Sequence, residues 1–268
     1  MAYQKVPIGT SNPGLTIILV DQSYSMRDNY GEGQKKDVAA MAVNRVIYEI
    51  VLACQSGERI KDRVYLAVIG YGENIDVLIE GKISEIAENP KEIKEMMKKE
   101  PDGAGGLVDV KAEMPIWIKP KAENGTPMGQ AFDVAYRVAE QWVKKNPDNF
   151  PPIVINISDG EPNDPDHTRD AAIRLMDIKT NDGHLLILNA HISDLNAGEI
   201  LLPNNNNGLH DGYAKFLFDI SSKLPETLID AATNVGFSPL ENARGFLFNA
   251  GAENLIKLLH FGSLGTLR

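Results

Sequence analysis

Hydrophobic residues along this chain form short unbroken runs, separated by longer stretches in which they recur at helical intervals. Unbroken runs are typical of strands buried on both faces of a parallel sheet, and they occur at 15–20, 63–71, 153–157 and 184–191. A shorter run at 245–248 predicts a further strand. Helical spacing predicts helices at 36–53, 128–145, 168–179, 213–224, 227–235 and 253–259.

Three other segments complete the predicted order of elements. Residues 74–80 alternate between apolar and polar after a Gly-Glu-Asn turn, which predicts an antiparallel hairpin partner at a sheet edge. The charged segment 90–100 predicts a helix with a solvated face, and 101–124 a long surface connection. Strands alternating with helices predict one doubly wound, mostly parallel α/β domain over 1–268, with its core at about 14–260. We expect one antiparallel edge strand and helices on both faces.

Composition narrows the classes of partner. The apolar fraction is 43% and the charged fraction 24%, as in ordinary globular proteins, whereas the net charge is −10. This negative charge disfavours binding to nucleic acid or to an anionic membrane surface. The single cysteine, Cys54, excludes an internal disulfide and is expected to be a buried thiol in a reducing compartment. The N-terminal residues lack the apolar core of a signal peptide, so we expect a cytoplasmic protein.

Oxygen-bearing side chains occur in three separate segments near the predicted ends of buried strands. They are Asp21, Ser23 and Ser25, then Thr126 before a predicted helix, and Asp159 after the run at 153–157. The carboxyl ends of parallel strands meet at one edge of a sheet, so we expect these residues on the same rim. In an extended loop, the three residues after the first strand would share one face. Hydroxyl and carboxylate oxygens suit a hard divalent cation such as Mg²⁺.

The pattern D-x-S-x-S-M, followed by T-P-M and then S-D-G, resembles the metal-ion-dependent adhesion site of von Willebrand factor type A (VWA) domains. The resemblance covers nearly the whole chain and implies a Rossmann-like VWA fold. It implies that Ser23, Ser25 and Thr126 are ligands of Mg²⁺ or Mn²⁺, and that Asp21 and Asp159 bind directly or through water. It further implies that an Asp or Glu carboxylate of a partner protein completes the coordination shell.

Two further segments have a narrower resemblance. The sequences WIKP at 117–120 and ARGFLFNA at 243–250 resemble bacterial stand-alone VWA proteins associated with tellurite resistance and stress. Some of those proteins are thought to act with a phosphatase and a kinase, so a phosphatase or kinase of the same pathway is a candidate partner.

Catalytic motifs are missing from the sequence. It contains no phosphate loop, no G-x-S-x-G, no H-E-x-x-H and no paired-cysteine zinc spacing. We therefore expect a non-enzymatic interaction module, with a metal-dependent hydrolase of phosphate esters as the alternative and an inert scaffold as the third possibility. His167 is the residue that a hydrolase would use as a base, but a surface role is expected. His184 and His191 are expected to be structural.

Overall fold

The long apolar runs form the inner strands of one sheet in a computed structural model of the protein, which describes residues 6–31, 33–101, 107–193, 198–265 and 267. Residues 1–5, part of the N-terminal segment considered above, lie outside this range. Seven strands make up the central sheet: β1 (Gly14–Asp21), β6 (Val64–Tyr71), β7 (Ile75–Lys82), β10 (Ile153–Ser158), β13 (Leu186–His191), β14 (Ile200–Leu201) and β15 (Phe246–Phe248).

The strand order is β14-β15-β13-β10-β1-β6-β7, so the first strand lies near the middle of the sheet. The five inner strands run parallel to one another. β7 is antiparallel to β6, which confirms the predicted edge hairpin, and the two-residue β14 is antiparallel to β15 at the opposite edge. The parallel register aligns Asp21 with Tyr71 and Ser158 with His191 at the carboxyl edge.

Helices cover both faces of the sheet, as predicted, and successive residues of β1 point to opposite sides. Ile18 and Val20 belong to the core on one face, whereas Ile17 and Leu19 belong to the core on the other. The helices are α1 (Lys35–Cys54), α2 (Ile83–Ala87), α3 (Met128–Lys145), α4 (Pro165–Asp177), α5 (Gly212–Asp219), α6 (Glu226–Asn234) and α7 (Ala252–Leu264). The first core includes residues of α1, α2, α6 and α7, and the second includes residues of α3, α4 and α5.

The segment predicted as a charged helix is a strand, so that prediction was wrong. β8 (Glu92–Pro101) pairs in antiparallel register with β9 (Leu107–Ile116), and this two-stranded ribbon replaces much of the predicted surface connection. Residues 102–106 of that connection lie outside the described residues. After β9 the chain returns to the domain, where Trp117 and Ile118 are buried.

Three short antiparallel hairpins lie in the loops of the described chain: β2 (Asn29–Tyr30) with β3 (Gly33–Gln34), β4 (Gln55–Ser56) with β5 (Arg59–Ile60), and β11 (Lys179–Thr180) with β12 (Gly183–His184). Cys54 is a buried free thiol, as predicted, and burial raises its pKa. In the described parts of the chain, no helix is both long enough and apolar enough to span a membrane.

Candidate metal-binding site

The carboxyl end of β1 brings a buried carboxylate to the rim of the sheet. Asp21 is the last residue of the strand and is 1% exposed. Its Oδ1 accepts a hydrogen bond of 2.8 Å from the backbone N–H of Ser23, and its Oδ2 accepts one of 2.7 Å from the Ser158 hydroxyl. These two donors fix the carboxylate between the ends of neighbouring strands β1 and β10.

The loop after Asp21 brings the two predicted serine ligands together and places one of them, Ser25, in contact with Asp159. The hydroxyls of Ser23 and Ser25 lie 3.1 Å apart, and the Ser25 hydroxyl donates to Asp159 Oδ1 at 2.8 Å. The loop is not extended, because Tyr24–Arg27 form a turn of 3₁₀ helix. The turn keeps both hydroxyls together while Tyr24 remains 59% exposed to solvent.

Glycines opposite this loop allow it to lie against the neighbouring strand. A Cβ on Gly70 would lie 2.5 Å from Gln22 Oε1, and a Cβ on Gly72 would lie 2.8 Å from the Gln22 carbonyl oxygen. Gln22 is buried, and its carbonyl oxygen accepts a hydrogen bond of 2.6 Å from the N–H of Glu123. The segment that leads to Thr126 is therefore tied to the loop that carries the serines.

Thr126 is buried beside α3, and its backbone connects two of the predicted segments. Its N–H donates to the Asn163 side-chain carbonyl at 3.0 Å, and its carbonyl accepts the Asn163 N–H at 3.0 Å. Asn163 lies four residues after Asp159, so this reciprocal pair joins the threonine loop to the loop that follows β10. Among the described residues, the threonine hydroxyl makes no hydrogen bond to Asp21, Ser23, Ser25 or Asp159.

A lysine that the sequence analysis did not identify lies within the site. The Lys35 ammonium is 2.8 Å from Asp159 Oδ2 and 3.8 Å from Asp28 Oδ2. The Lys35 side chain is 4% exposed and that of Asp159 is fully buried, whereas Asp28 is 53% exposed. Lys35 is the first residue of α1, so the site combines residues from two strand ends, two loops and one helix terminus.

The electrostatics of the site fit a cation. The pKa of Asp21 is raised from 3.8 to about 6, first because burial penalises the charged form and next because Asp159 repels it. Hydrogen bonds from Ser158 and Ser23 oppose this rise. A divalent ion would stabilise both carboxylates in their charged form. The donor set contains few carboxylates, and among the described residues no group of three or more His, Cys, Asp and Glu side chains could hold a metal.

His191 is a second neighbour of the site, at the end of β13, where only a structural role was expected. It is 3% exposed, stacks on Phe248 with ring centroids 5.5 Å apart, and has its Nε2 3.6 Å from Asp211 Oδ2. Burial lowers its pKa, and Asp211 and Asp159 oppose that effect. Its position at the end of an apolar strand was the signal in the sequence that it would reach this rim.

A layer of buried polar side chains lies below the rim. The Tyr71 hydroxyl donates to Asn156 Oδ1 at 2.8 Å, and Asn156 Nδ2 donates to Asn189 Oδ1 at 3.0 Å. Asn189 Nδ2 then donates to the Ser221 hydroxyl at 2.9 Å. These bonds link side chains of strands β6, β10 and β13. The bond from β6 to β10 passes over β1, which lies between them in the sheet. They connect side chains on one face of the sheet.

His167, the histidine considered as a catalytic base, lies between two helices. His167 Nε2 is 2.8 Å from Asp133 Oδ2, and Arg174 also pairs with Asp133 at 2.5 Å. Asp164 caps α4 by accepting the His167 N–H at 2.9 Å. Each of these contacts fastens α4 to α3 or caps α4, so the expected surface role of His167 agrees with its observed packing.

Similarity to known proteins is confined to solved structures. No family model and no curated protein matches the chain. The pilus adhesin SpaC from Lactobacillus rhamnosus GG has a TM-score of 0.54 at 11% identity, covering 96% of this chain and 30% of that chain. Proximal thread matrix protein 1 from the mussel byssus has a TM-score of 0.48 at 12% identity, covering 93% and 46%. Manganese-loaded TRAP from Plasmodium vivax has a TM-score of 0.43 at 15% identity, covering 92% and 72%. The likeness to SpaC shows the fold alone, and this chain spans less than a third of that protein.

Proposed function

We propose that this protein is a VWA-type interaction module that binds a partner protein through a divalent metal ion. The metal site consists of Asp21, Ser23, Ser25, Thr126 and Asp159. The observation that carries this proposal is the contact chain from Ser23 through Ser25 to Asp159, in which Ser25 and Asp159 lie 134 positions apart in the sequence. Oxygen side chains from separate loops converge here at the carboxyl edge of the sheet, where ligands of open α/β sheets bind.

The ligand types favour Mg²⁺ or Mn²⁺ and a shell that a partner completes. Three of the five proposed ligands are neutral hydroxyls, so a bound ion keeps much of its charge. Ser25 is partly exposed, which gives the ion a side open to solvent. When bound, the ion supplies an electropositive centre for an Asp or Glu carboxylate of the partner. The protein's own residues hold the ion and exclude water from its inner side.

The biological setting of this proposal comes from the sequence resemblance. The segments at 117–120 and 243–250 support a role in a bacterial stress or tellurite-resistance complex in the cytoplasm. A phosphatase or kinase of the same pathway would be the partner that offers the acidic residue.

Metal titration tests the proposed site directly. The purified protein is treated with chelator and titrated with Mn²⁺ and Mg²⁺ by calorimetry, beside Ser25→Ala and Asp159→Asn. We expect both variants to lose at least ~10-fold in metal affinity, since each removes one proposed oxygen ligand or its charge. Ser56→Ala and Asp170→Asn are the matched controls, because both positions are exposed and distant in sequence from the proposed ligands. Equal metal affinity in all five proteins would exclude this site.

Partner capture from cell extract tests the proposed role of the metal. Wild-type protein should retain a partner in Mg²⁺ and release it in chelator, and Asp159→Asn should retain none. Retention that is unaffected by chelator would favour a scaffold instead. Metal-dependent hydrolysis of p-nitrophenyl phosphate, lost in Asp159→Asn, would favour the hydrolase and contradict the proposed function.

A further inference from the structure

Lys35 occupies a place that helix energetics and burial both disfavour. The first turn of a helix has a partial positive charge and prefers acidic residues, yet α1 begins with Lys35 and Lys36. A lysine is almost never fully buried unless it is paired, and the Lys35 side chain is 4% exposed. Burial and the helix terminus therefore both disfavour a charged lysine here, and its close pair with the buried Asp159, with a longer one to the exposed Asp28, offsets these costs.

The contact is directed at the proposed metal ligand rather than at solvent. The ammonium lies 2.8 Å from Asp159 Oδ2, while the other oxygen of that carboxylate accepts the Ser25 hydroxyl at 2.8 Å. Both oxygens of Asp159 are thus engaged by groups of this chain. A metal ion that binds Asp159 must share the carboxylate with Lys35 or displace it.

We propose that Lys35 is a built-in counter-ion of the metal site, which weakens metal binding and strengthens the attraction of the loaded site for a partner carboxylate. This inference rests on the proposed function. Among the buried charges, Asp21 and Asp159 contribute two negative charges and Lys35 contributes one positive charge, whereas the charge of Asp28 is screened because its side chain is 53% exposed to solvent. Without metal these groups sum to −1, and with a divalent ion they sum to +1. If Lys35 were neutral, the loaded site would have no net charge.

The charge balance gives Lys35 two opposite effects. Repulsion between the ammonium and the metal lowers the affinity for the ion, since charges a few ångströms apart in a partly buried site interact strongly. The same positive charge remains after loading and favours binding of an acidic group. A residue with a purely structural role would not move the two affinities in opposite directions.

The decisive variant is Lys35→Met, which keeps a long unbranched side chain and removes the charge. Lys35→Gln is a second variant that can still donate a hydrogen bond to Asp159, in case the methionine prevents folding. Lys35→Arg retains the charge, and Lys36→Met removes a neighbouring charge from a partly exposed position. Each protein is titrated with Mn²⁺ alone, and water-proton relaxation reports the metal and its bound water.

Acetate is then added to the Mn²⁺-loaded proteins as the carboxylate probe, and the loss of relaxation enhancement measures its binding. We expect Lys35→Met and Lys35→Gln to bind Mn²⁺ at least ~10-fold more tightly and acetate more weakly than wild type. Lys35→Arg and Lys36→Met should match wild type in both measurements. In chelator, Lys35→Met should unfold at a lower temperature than wild type, and Mn²⁺ should raise its midpoint by more than it raises that of wild type.

The outcomes separate this inference from the proposed function. If wild type binds Mn²⁺ and the two neutral variants bind it with unchanged or lower affinity, the role of Lys35 is refuted and the metal site stands. If the two neutral variants bind Mn²⁺ more tightly but bind acetate as wild type does, Lys35 weakens metal binding without attracting a partner carboxylate, and that half of the proposal is refuted. If neither wild type nor any variant binds Mn²⁺, both the inference and the proposed function are overturned.

Discussion

Asn44 should be among the most costly polar residues of this protein to remove, because one side chain satisfies three backbone groups. It lies in α1 and is 3% exposed. Its Oδ1 accepts the N–H groups of Trp117 at 2.8 Å and Ile118 at 3.0 Å, and its Nδ2 donates to the Ile118 carbonyl at 2.9 Å. The same segment is held by the Trp117 indole, which donates to the Ile86 carbonyl at 2.7 Å.

The magnitude follows from these three bonds. A typical intramolecular hydrogen bond contributes about 1 kcal/mol net, and a buried group left without a partner costs about 1–3 kcal/mol. Asn44→Ala removes one side chain but leaves three backbone groups unpaired in a dry environment. We therefore expect the free energy of unfolding to fall by about 3–4 kcal/mol.

Urea denaturation followed by circular dichroism measures this loss. Met41→Ala is the control on the same helix, because Met41 is 45% exposed and its truncation should change stability by less than about 0.5 kcal/mol. An unchanged dependence on urea concentration would show that the variant unfolds from the same compact state. If Asn44→Ala lowers the free energy of unfolding by less than about 1 kcal/mol, the Asn44 side chain does not stabilise the backbone of Trp117 and Ile118 as proposed.

Two other predictions concern the rim of the sheet. In chelator, stability should decline as the pH rises from about 4 to 7, because the folded protein holds a proton on Asp21 that the unfolded chain releases. A rise in pKa from 3.8 to about 6 corresponds to about 3 kcal/mol, and Asp21→Asn should remove this part of the pH profile when unfolding is measured at each pH. Gly72→Ala should lower the free energy of unfolding by about 1–3 kcal/mol and weaken Mn²⁺ binding, since its Cβ would displace the Gln22 backbone. In the control Gly9→Ala, the added Cβ would meet nothing within 4 Å, so the free energy of unfolding and the affinity for Mn²⁺ should both stay unchanged.

The five inner strands of the central sheet could be predicted because they are buried on both faces, and this leaves a local signature of unbroken apolar runs. The ribbon could not be predicted from its first strand, since Lys and Glu favour helices and the strand is stabilised by pairing with a second segment, β9. Its second strand did contain a signal: apolar residues alternate from Val108 through Val110, Ala112 and Met114 to Ile116. That period of two is typical of a strand and was not recognised in the predicted connection.

In the candidate site, too, some residues could be predicted from the order of strands, whereas others depend on contacts between segments far apart in the sequence. Asp21, Ser23, Ser25 and Asp159 could be predicted to share a rim because topology alone places strand ends together. Lys35 could not be identified from local pattern, since a basic residue near a helix start usually lies in solvent. Its role depends on a contact 124 residues away, with Asp159. The Asn163 pair with Thr126 is likewise a contact between two loops that no sequence period encodes.

The polar layer formed by Tyr71, Asn156 and Asn189 has a consequence for motion in the sheet. Each of these bonds joins side chains of different strands in a buried, low-dielectric environment, so one strand cannot separate without leaving several partners unpaired. Amide protons of β10 and β13 should therefore exchange with deuterium only through the largest opening events of the molecule. The serine loop after β1 contributes no side chain to this network, so it can rearrange without breaking any of these bonds.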